Sequence, residues 1–592
     1  MEEHLKILLV GEGNFSFSLW LCDSSNGKYD ITATCIELED QVCRQPKIWA
    51  NVQHLRERGA VVHFSVDATN LKDNILLANK LYDRVIFNFP HYGRKAGIKK
   101  NRVLLTRFFL SCADVLTQKG DIHVALCKGQ GGTPADQPMR EWHNSWQVVA
   151  MASKAGFILS SVAPFESEQH SGYKCTGYRS QEKSFHVEGS LNHIFTRSLP
   201  LETIKTLKII SKLTDVLEEE ENKAYRDLLE WETCHPTNIV HERLIDFMEN
   251  CLTLESLDDT FPLMCKPCSR LHLYWCPVPE SALYFVPSKN GDISIISSYY
   301  EDKKKTGCEL QSSRLHYLRP SLTHFTNDII EKQNLTPGVM YSLSGPVFRK
   351  CLASCRTMPV YHELMLLCRC KASNIEDQTQ LLLETFSNAM AYFQTSILNK
   401  ANKVKDQKKV LTFQDQFSRE HCSKIISCNY GDYIVGTITA FLPEHIDCNF
   451  ANLSMTLNLD LLTMCLLNID DWRMLWTHDE RFIQQYNPPQ LKIFESFSLY
   501  PPYYTHDISF WVGEGSEFDN QEFHILAMRV SKGTISNIQL LDQYENVDTR
   551  MTSLCYRIIY QSCDMALSYE DASEMQLLLR KELQKSFHVV LR

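Results

Sequence analysis

Residues 8–21, LLVGEGNFSFSLWL, run from an apolar strand through a glycine turn into a helix-like start. Gly11 and Gly13 permit the positive φ and the close backbone approach that a nucleotide-like ligand needs after a first strand. Glu12 and Asn14 complete the turn. A dinucleotide fingerprint would carry a third glycine three residues on, where Ser16 stands. The turn therefore suits a ligand other than a pyrophosphate.

Five more apolar runs follow: ITATCIE, VVHFSVD, RVIFNFP, DIHVALCKG and FILSSVAPF. Alternation of such runs with amphipathic stretches predicts a parallel sheet covered by helices on both faces, over residues 1–200. The second run ends at Glu37, and the third ends in Val66-Asp67-Ala68-Thr69. Acids after successive strands can bind ribose hydroxyls and the adenine edge together, the arrangement an adenosine-bearing donor such as S-adenosylmethionine needs. Asn88-Phe89-Pro90-His91 closes the fourth run, where an amide, an aromatic and a rigid proline can form a ledge for a flat base. Arg94, Lys95, Lys99, Lys100, Arg102 and Arg107 follow at once, placed for the phosphates that flank such a base.

The chain's 592 residues allow three or four domains, and its 44% apolar content supports packed cores. Its formal charge of −10 is unevenly spread: residues 1–200 carry 23 basic against 20 acidic side chains, net +3, and the remainder 38 against 51, net −13. The N-terminal third is thus the likelier surface for an acidic polymer. No uncharged run of about 18 apolar residues suggests a membrane span. The 22 cysteines are scattered through apolar segments, as reduced thiols are, and MEEHLKILLV lacks the layout of a signal peptide. An intracellular chain is expected, in the cytoplasm, the nucleolus or both, with a mitochondrial address less favoured. Residues 201–260 read as a charged helical connector, with the acidic run Glu218–Glu221; residues 261–490 mix strands and helices, broken by a Lys-rich stretch near 399–409.

GEGNFSFS, VDAT, NFPH, RFFLSCADVL and GDIHVALCKGQ, in that order, resemble the Rossmann-like rRNA methyltransferases that modify N3 of uridine. The resemblance covers residues 5–200. It implies S-adenosylmethionine held by Gly11, Glu12, Gly13, Asn14, Glu37, Asp67 and Ala68, with Asn88, Phe89, Pro90 and His91 at the target base. Lys128 or His91 would assist loss of the N3 proton.

At the other end, DISFWV, IQLLDQYEN and CYRIIYQSCDMALSYEDASEMQLLL resemble the ferredoxin-fold anticodon-binding domain of phenylalanyl-tRNA synthetases. This implies an α+β domain over residues 491–592, with Trp511, Arg557 and Tyr560 as RNA contacts and His506 where a basic residue is common. Upstream, VFRKCLASCRTMPVYHELMLL and LNLDLLTMCLLNIDDWRMLWTHDERFIQQY look like the second and third class II motifs of those synthetases. Arg349 and His362 persist, but Met365 replaces a glutamate, Asn458 a glycine and Leu461 the ATP-binding arginine. An α+β degenerate synthetase-like core over 261–490 follows, without aminoacylation. Cys265-Lys266-Pro267-Cys268 has zinc-knuckle spacing with His272 and Cys276 nearby, but no second pair follows, so no metal is expected. The expected partner is a structured RNA, rRNA before tRNA; the other reading is a non-catalytic RNA-binding or assembly factor with a vestigial donor pocket.

Overall fold

The computed structural model describes residues 4–77, 79–93, 96–176, 186–205, 207–210, 227–230, 234–258, 261–265, 278–287, 315–332, 335–398, 410–418, 423–441, 449–513 and 518–592. Arg94, Lys95, Glu218–Glu221, the stretch 399–409, and Lys266, Pro267, Cys268, His272 and Cys276 lie outside these residues. By internal contacts the chain divides into two units: Met1–Glu202 with Ser496–His506 and Ile559–Leu578, and Thr203–Glu495 with Asp507–Ile558 and Leu579–Arg592.

The first unit is built on seven strands, β1 (Leu5–Leu9), β2 (Tyr29–Thr34), β3 (Val61–His63), β4 (Tyr82–Asn88), β5 (Leu116–Leu126), β6 (Phe157–Pro164) and β7 (Leu191–Arg197). Their order is β3-β2-β1-β4-β5-β7-β6. Strands β1 to β5 pair in parallel, so both faces must be covered. Ile7 and Leu9 point to one apolar cluster with Val52 and Leu55 of helix α3 (Pro46–Glu57). Leu8 and Val10 point to the other, with Leu105, Phe108 and Phe109 of α4 (Ile98–Val115).

The fully parallel sheet expected from alternation is corrected at one edge. Strand β7 runs antiparallel to both β5 and β6. Among the described residues, segment 165–190 between β6 and β7 holds no α-helix of the kind that usually carries a parallel crossover. Within this unit, Leu499 N–H donates to Leu159 O (2.7 Å), Ala566 N–H to Ser198 Oγ (2.8 Å) and Lys154 Nζ to Glu570 Oε1 (2.6 Å).

The second unit holds a seven-stranded sheet: β8 (Leu254–Ser256), β12 (Met340–Phe348), β13 (Val360–Lys371), β14 (Leu411–Ser418), β15 (Ser423–Tyr430), β16 (Tyr433–Phe441) and β17 (Phe450–Asn458). It is antiparallel except where β8 meets β12. Strands β9 (Met264–Cys265), β10 (Phe285–Pro287) and β11 (Leu315–Leu318) form a small separate sheet. The connector expected as a solvated helix instead contains the helix Pro236–Glu249, which buries Ile239, Val240, Leu244 and Met248. A four-stranded sheet of order β19-β20-β18-β21 closes the chain: β18 (Tyr504–Val512), β19 (Ile535–Glu545), β20 (Thr552–Tyr560) and β21 (Val590–Leu591). No described helix is long and apolar enough to cross a membrane, and no described cluster of His, Cys, Asp and Glu could hold a metal ion.

Between β4 and β5, Arg84 forms a two-point pair with Asp121 (2.7 and 2.8 Å), and His123 Nε2 lies 3.2 Å from the same carboxylate. Burial by itself would raise the Asp121 pKa; the contacts from His123 and Arg84 outweigh it and hold the carboxyl at about 2. A folded-state value below the unfolded one stabilises the fold above about pH 4, and that contribution disappears as pH falls toward 2. Discounted for partial exposure, it amounts to about 1–2 kcal/mol. Asp121→Asn is expected to raise hydrogen exchange of β4 and β5 amides roughly tenfold at pH 7 and to flatten its dependence between pH 5 and 3. An unchanged pH dependence would refute the assignment.

Candidate functional site

The carboxyl ends of β1 to β5 meet at the point where strand order reverses, between β1 and β4, the usual crevice for ligands in a doubly wound sheet. Gly11 follows β1 with φ +67°, and a Cβ there would lie 2.4 Å from the Phe87 ring. Both facts exclude a side chain at this point. The turn is fixed by Val10 N–H donating to Ile86 O and Glu12 N–H to Thr34 O (3.0 Å each).

The side chains of Glu12 and Asn14 bond within and beside the turn itself, which leaves their backbone as the part a ligand would meet. Glu12 is buried, and its Oε2 accepts from Ser18 N (3.2 Å) and Ser18 Oγ (2.8 Å) in the first turn of α1 (Ser16–Ser24). A carboxylate suits a helix N-terminus, although burial raises its pKa and the Ser18 bonds only partly offset that. Asn14 accepts from Ser16 N and Oγ and donates from Nδ2 to Lys174 O (2.8 Å).

Glu37 and Asp67 are exposed, and Ala68 is buried. Asp67 Oδ1 accepts from Thr69 N and Oγ1 (2.8 Å each), which leaves Oδ2 outside these bonds. Next to Glu37 lies a cavity of about 450 Å³ whose lining includes Leu38, Glu39, Arg56, His63, Phe64 and Leu76. Its wall combines exposed apolar side chains with a buried His63 Nε2 that has no hydrogen-bond partner. Glu37 and Asp67 are not among its lining residues.

At the end of β4, Asn88 Nδ2 is buried and without a partner, an arrangement that costs stability unless a ligand completes it. Phe89 adopts φ +51° and turns inward, where its ring packs on Phe165 (5.1 Å). It cannot serve as a stacking ledge, because positive φ and burial remove its face from solvent. His91 Nδ1 accepts from Gly93 N–H (2.9 Å), so in this tautomer Nε2–H is a donor; burial lowers its pKa. Lys128 is exposed just beyond β5.

Among the cations, Lys99 and Lys100 are exposed, and Lys100 Nζ lies 5.5 Å from the Tyr92 ring. Arg102 is corrected: its guanidinium donates to Ser145 O, His143 O and Trp142 O and ties down the loop after β5. That loop has an organiser missed in the sequence. Buried Asp136 accepts from the backbone N–H of Gly129, Gly132 and Thr133 (2.9–3.0 Å). The acid following the glycine-rich run GQGGTPAD was the available signal.

In the C-terminal sheet, Trp511 is half-buried, with Arg592 5.7 Å above its ring and Tyr544 against it edge-on (6.3 Å). A tryptophan bracketed by an arginine and a tyrosine suits base stacking. Arg557 is exposed but already in a two-point pair with Asp507 (2.9 Å each). Tyr560 is corrected from RNA contact to core: it is fully buried and its hydroxyl donates to Gln576 Oε1 (2.8 Å). His506 stacks on Tyr569 (5.8 Å).

Gly13 carries a direct steric test. A Cβ there would lie 2.1 Å from Thr176 Oγ1, in the connection between β6 and β7. Gly13→Ala is expected to displace that connection and raise protease cleavage within residues 165–190, at a cost of about 1–3 kcal/mol. Thr176→Ala added to it should restore protection, because the clashing hydroxyl is gone; additive damage in the double variant would refute the contact.

Residues 8–177 match the family model described as rRNA (uridine-N3-)-methyltransferase BTM5-like, and residues 498–592 match the ferredoxin-fold anticodon binding domain. The chain is 39% identical over 622 residues to human ferredoxin-fold anticodon-binding domain-containing protein 1, covering 99% of each. It is also 39% identical, over 619 residues and 99% of each chain, to the mouse homolog. Mouse mitochondrial phenylalanine–tRNA ligase matches at 26% identity over 318 residues, 48% of this chain and 69% of the ligase. The first domain is of the methyltransferase type and the last has the ferredoxin fold. The chain belongs to the family of ferredoxin-fold anticodon-binding domain-containing protein 1.

Proposed function

We propose that this chain methylates RNA at N3 of a uridine, in rRNA before tRNA, with S-adenosylmethionine as donor, and that its C-terminal half holds the structured RNA. The observation that carries this reading is the pair of exposed acids, Glu37 and Asp67, at the ends of two neighbouring parallel strands beside a side-chain-free glycine turn. The uridine assignment draws on the description of the family model over residues 8–177. A cytoplasmic or nucleolar site of action goes with it.

Glu37 and Asp67 would accept from the donor's ribose and adenine, with Leu38 and Leu76 along the ring and the Gly11–Gly13 backbone at its amino-acid end. When bound, S-adenosylmethionine supplies an activated methyl group on a sulfonium. The chain's own work is alignment and charge control. The unpartnered amide of Asn88 suits a carbonyl of the base, His91 carries its Nε2–H as a donor in this tautomer, and the Lys128 ammonium would stabilise the base as its N3 proton passes to solvent water. Lys99 and Lys100 would meet flanking phosphates.

The middle of the chain is read as a synthetase-derived scaffold without amino-acid activation. Arg349 donates from Nε to Pro320 O (2.7 Å) and lies 3.6 Å from the buried Glu363 carboxylate, so its guanidinium is committed within the fold. Met365 and Leu461 are buried apolar side chains. ATP–pyrophosphate exchange with phenylalanine is expected at background level; phenylalanine-dependent turnover would contradict the scaffold reading.

Titration calorimetry with S-adenosylmethionine and S-adenosylhomocysteine tests the donor site. Asp67→Ala and Glu37→Ala should each weaken binding by at least about tenfold, or about 1.4 kcal/mol. Wild-type affinity in Asp67→Ala would remove that residue from the site. No binding to the folded wild-type chain would leave the non-catalytic RNA-binding factor.

A further inference from the structure

The connection after β6 folds back over the glycine turn. Phe165, His170 and Tyr173 gather around Phe17 of α1, with ring centroids 5.4–6.1 Å from it, and His170 also lies 4.0 Å from Trp20. Beyond this aromatic cluster, the main chain of Lys174 is held on both sides. Its N–H donates to Ser16 Oγ (3.0 Å), and its carbonyl accepts from Asn14 Nδ2 (2.8 Å). Two residues on, Thr176 fills the space above Gly13.

The Lys174 side chain is nonetheless exposed, and among the described residues no acid pairs with it. A lysine pinned by its backbone to the turn that opens the donor cleft, with its ammonium in solvent, differs from one on a mobile surface. Its neighbour Cys175 packs with Cys127 and Tyr173 on the same apolar cluster, and Cys127 directly precedes Lys128. Burial pushes the Cys127 thiol up to about 11, and Cys175 adds to that rise, as adjacent thiols do. The strap and the end of β5 therefore run side by side, and Lys174 and Lys128 emerge from neighbouring segments.

We propose that Lys174 is a further RNA-contacting cation of the methyl-transfer site, holding a phosphodiester of the strand that carries the target nucleotide. This rests on the reading of the N-terminal domain as an RNA methyltransferase. It gives the Asn14 and Ser16 contacts a purpose beyond the turn: they fix an RNA contact at a set position from the donor cleft. Arg102, expected to make such a contact, is instead spent on its own loop.

The test uses the full chain and a fluorescein-labelled 20-nucleotide single-stranded oligouridine, with affinity read from anisotropy between about 50 and 200 mM salt. A contact to one phosphate contributes about 0.7 to the slope of log K against log salt for a single strand. Lys174→Ala should lower the slope by about that much and weaken low-salt binding several-fold. Lys174→Arg should retain both, and S-adenosylmethionine affinity should stay at the wild-type value. The series is run also in the Trp511→Ala background, to keep the C-terminal sheet from dominating the signal. An unchanged slope in a Lys174→Ala chain with wild-type melting overturns the proposal. So does a fall in donor affinity alone, which would make the strap a wall of the donor pocket. A wild-type chain that binds no donor, yet loses slope in Lys174→Ala, would refute the methyltransferase reading while keeping the RNA contact.

Discussion

The N-terminal site depends on one steric constraint: backbone must stand where side chains cannot. At Gly11, φ +67° and the Phe87 ring leave no room for a Cβ. At Gly13, the hydroxyl of Thr176 occupies that room. Everything nearby is arranged around these two positions. Glu12 turns inward to serve the start of α1, Asn14 and Ser16 reach out to hold the strap, and Glu37 and Asp67 stay exposed beyond β2 and β3. The same geometry that opens the turn to a ligand thus also attaches a segment about 160 residues away in sequence.

That distance explains what could and could not be read from the sequence. The runs forming β1 and the end of β4 are apolar on both faces, and those of β2 and β5 hold apolar stretches bounded by turn residues, so a buried parallel sheet was legible, as were the acids at two strand ends. Strand β7, LNHIFTR, was not legible. Its polar residues interrupt the apolar run, and its antiparallel place comes from the connection before it. Phe89 looked like a ledge because an aromatic beside a proline at a strand end can be one. Its positive φ, with its N–H bonded to Ala125 O at 2.9 Å, turns the ring into the core instead. Periodicity indicates which face a residue favours; it says nothing about a partner on a distant loop. Lys174 and Asp136 are both examples of that gap.

The C-terminal half shows the opposite balance. Its motifs were legible by resemblance, yet burial redistributes their roles. Strand alternation places Tyr560 in the core and Trp511 toward the open side, beside Arg592 and Tyr544. The synthetase-like stretch keeps an arginine and a histidine of its motifs but commits both internally: Arg349 to Pro320 O, and His362 to the buried Asp460 at 3.1 Å. The Trp511 patch is one of several aromatic–cationic contacts among the described residues of this half.

The central claim is that this chain transfers a methyl group to uridine N3. The most direct measurement is to incubate the full chain with radiolabelled S-adenosylmethionine and ribosomal RNA from cells lacking the protein, digest the RNA to nucleosides, and identify the labelled one. The account predicts label in 3-methyluridine, absent with Asn88→Ala. Label in any other nucleoside, or none from a chain that binds the donor, would contradict it.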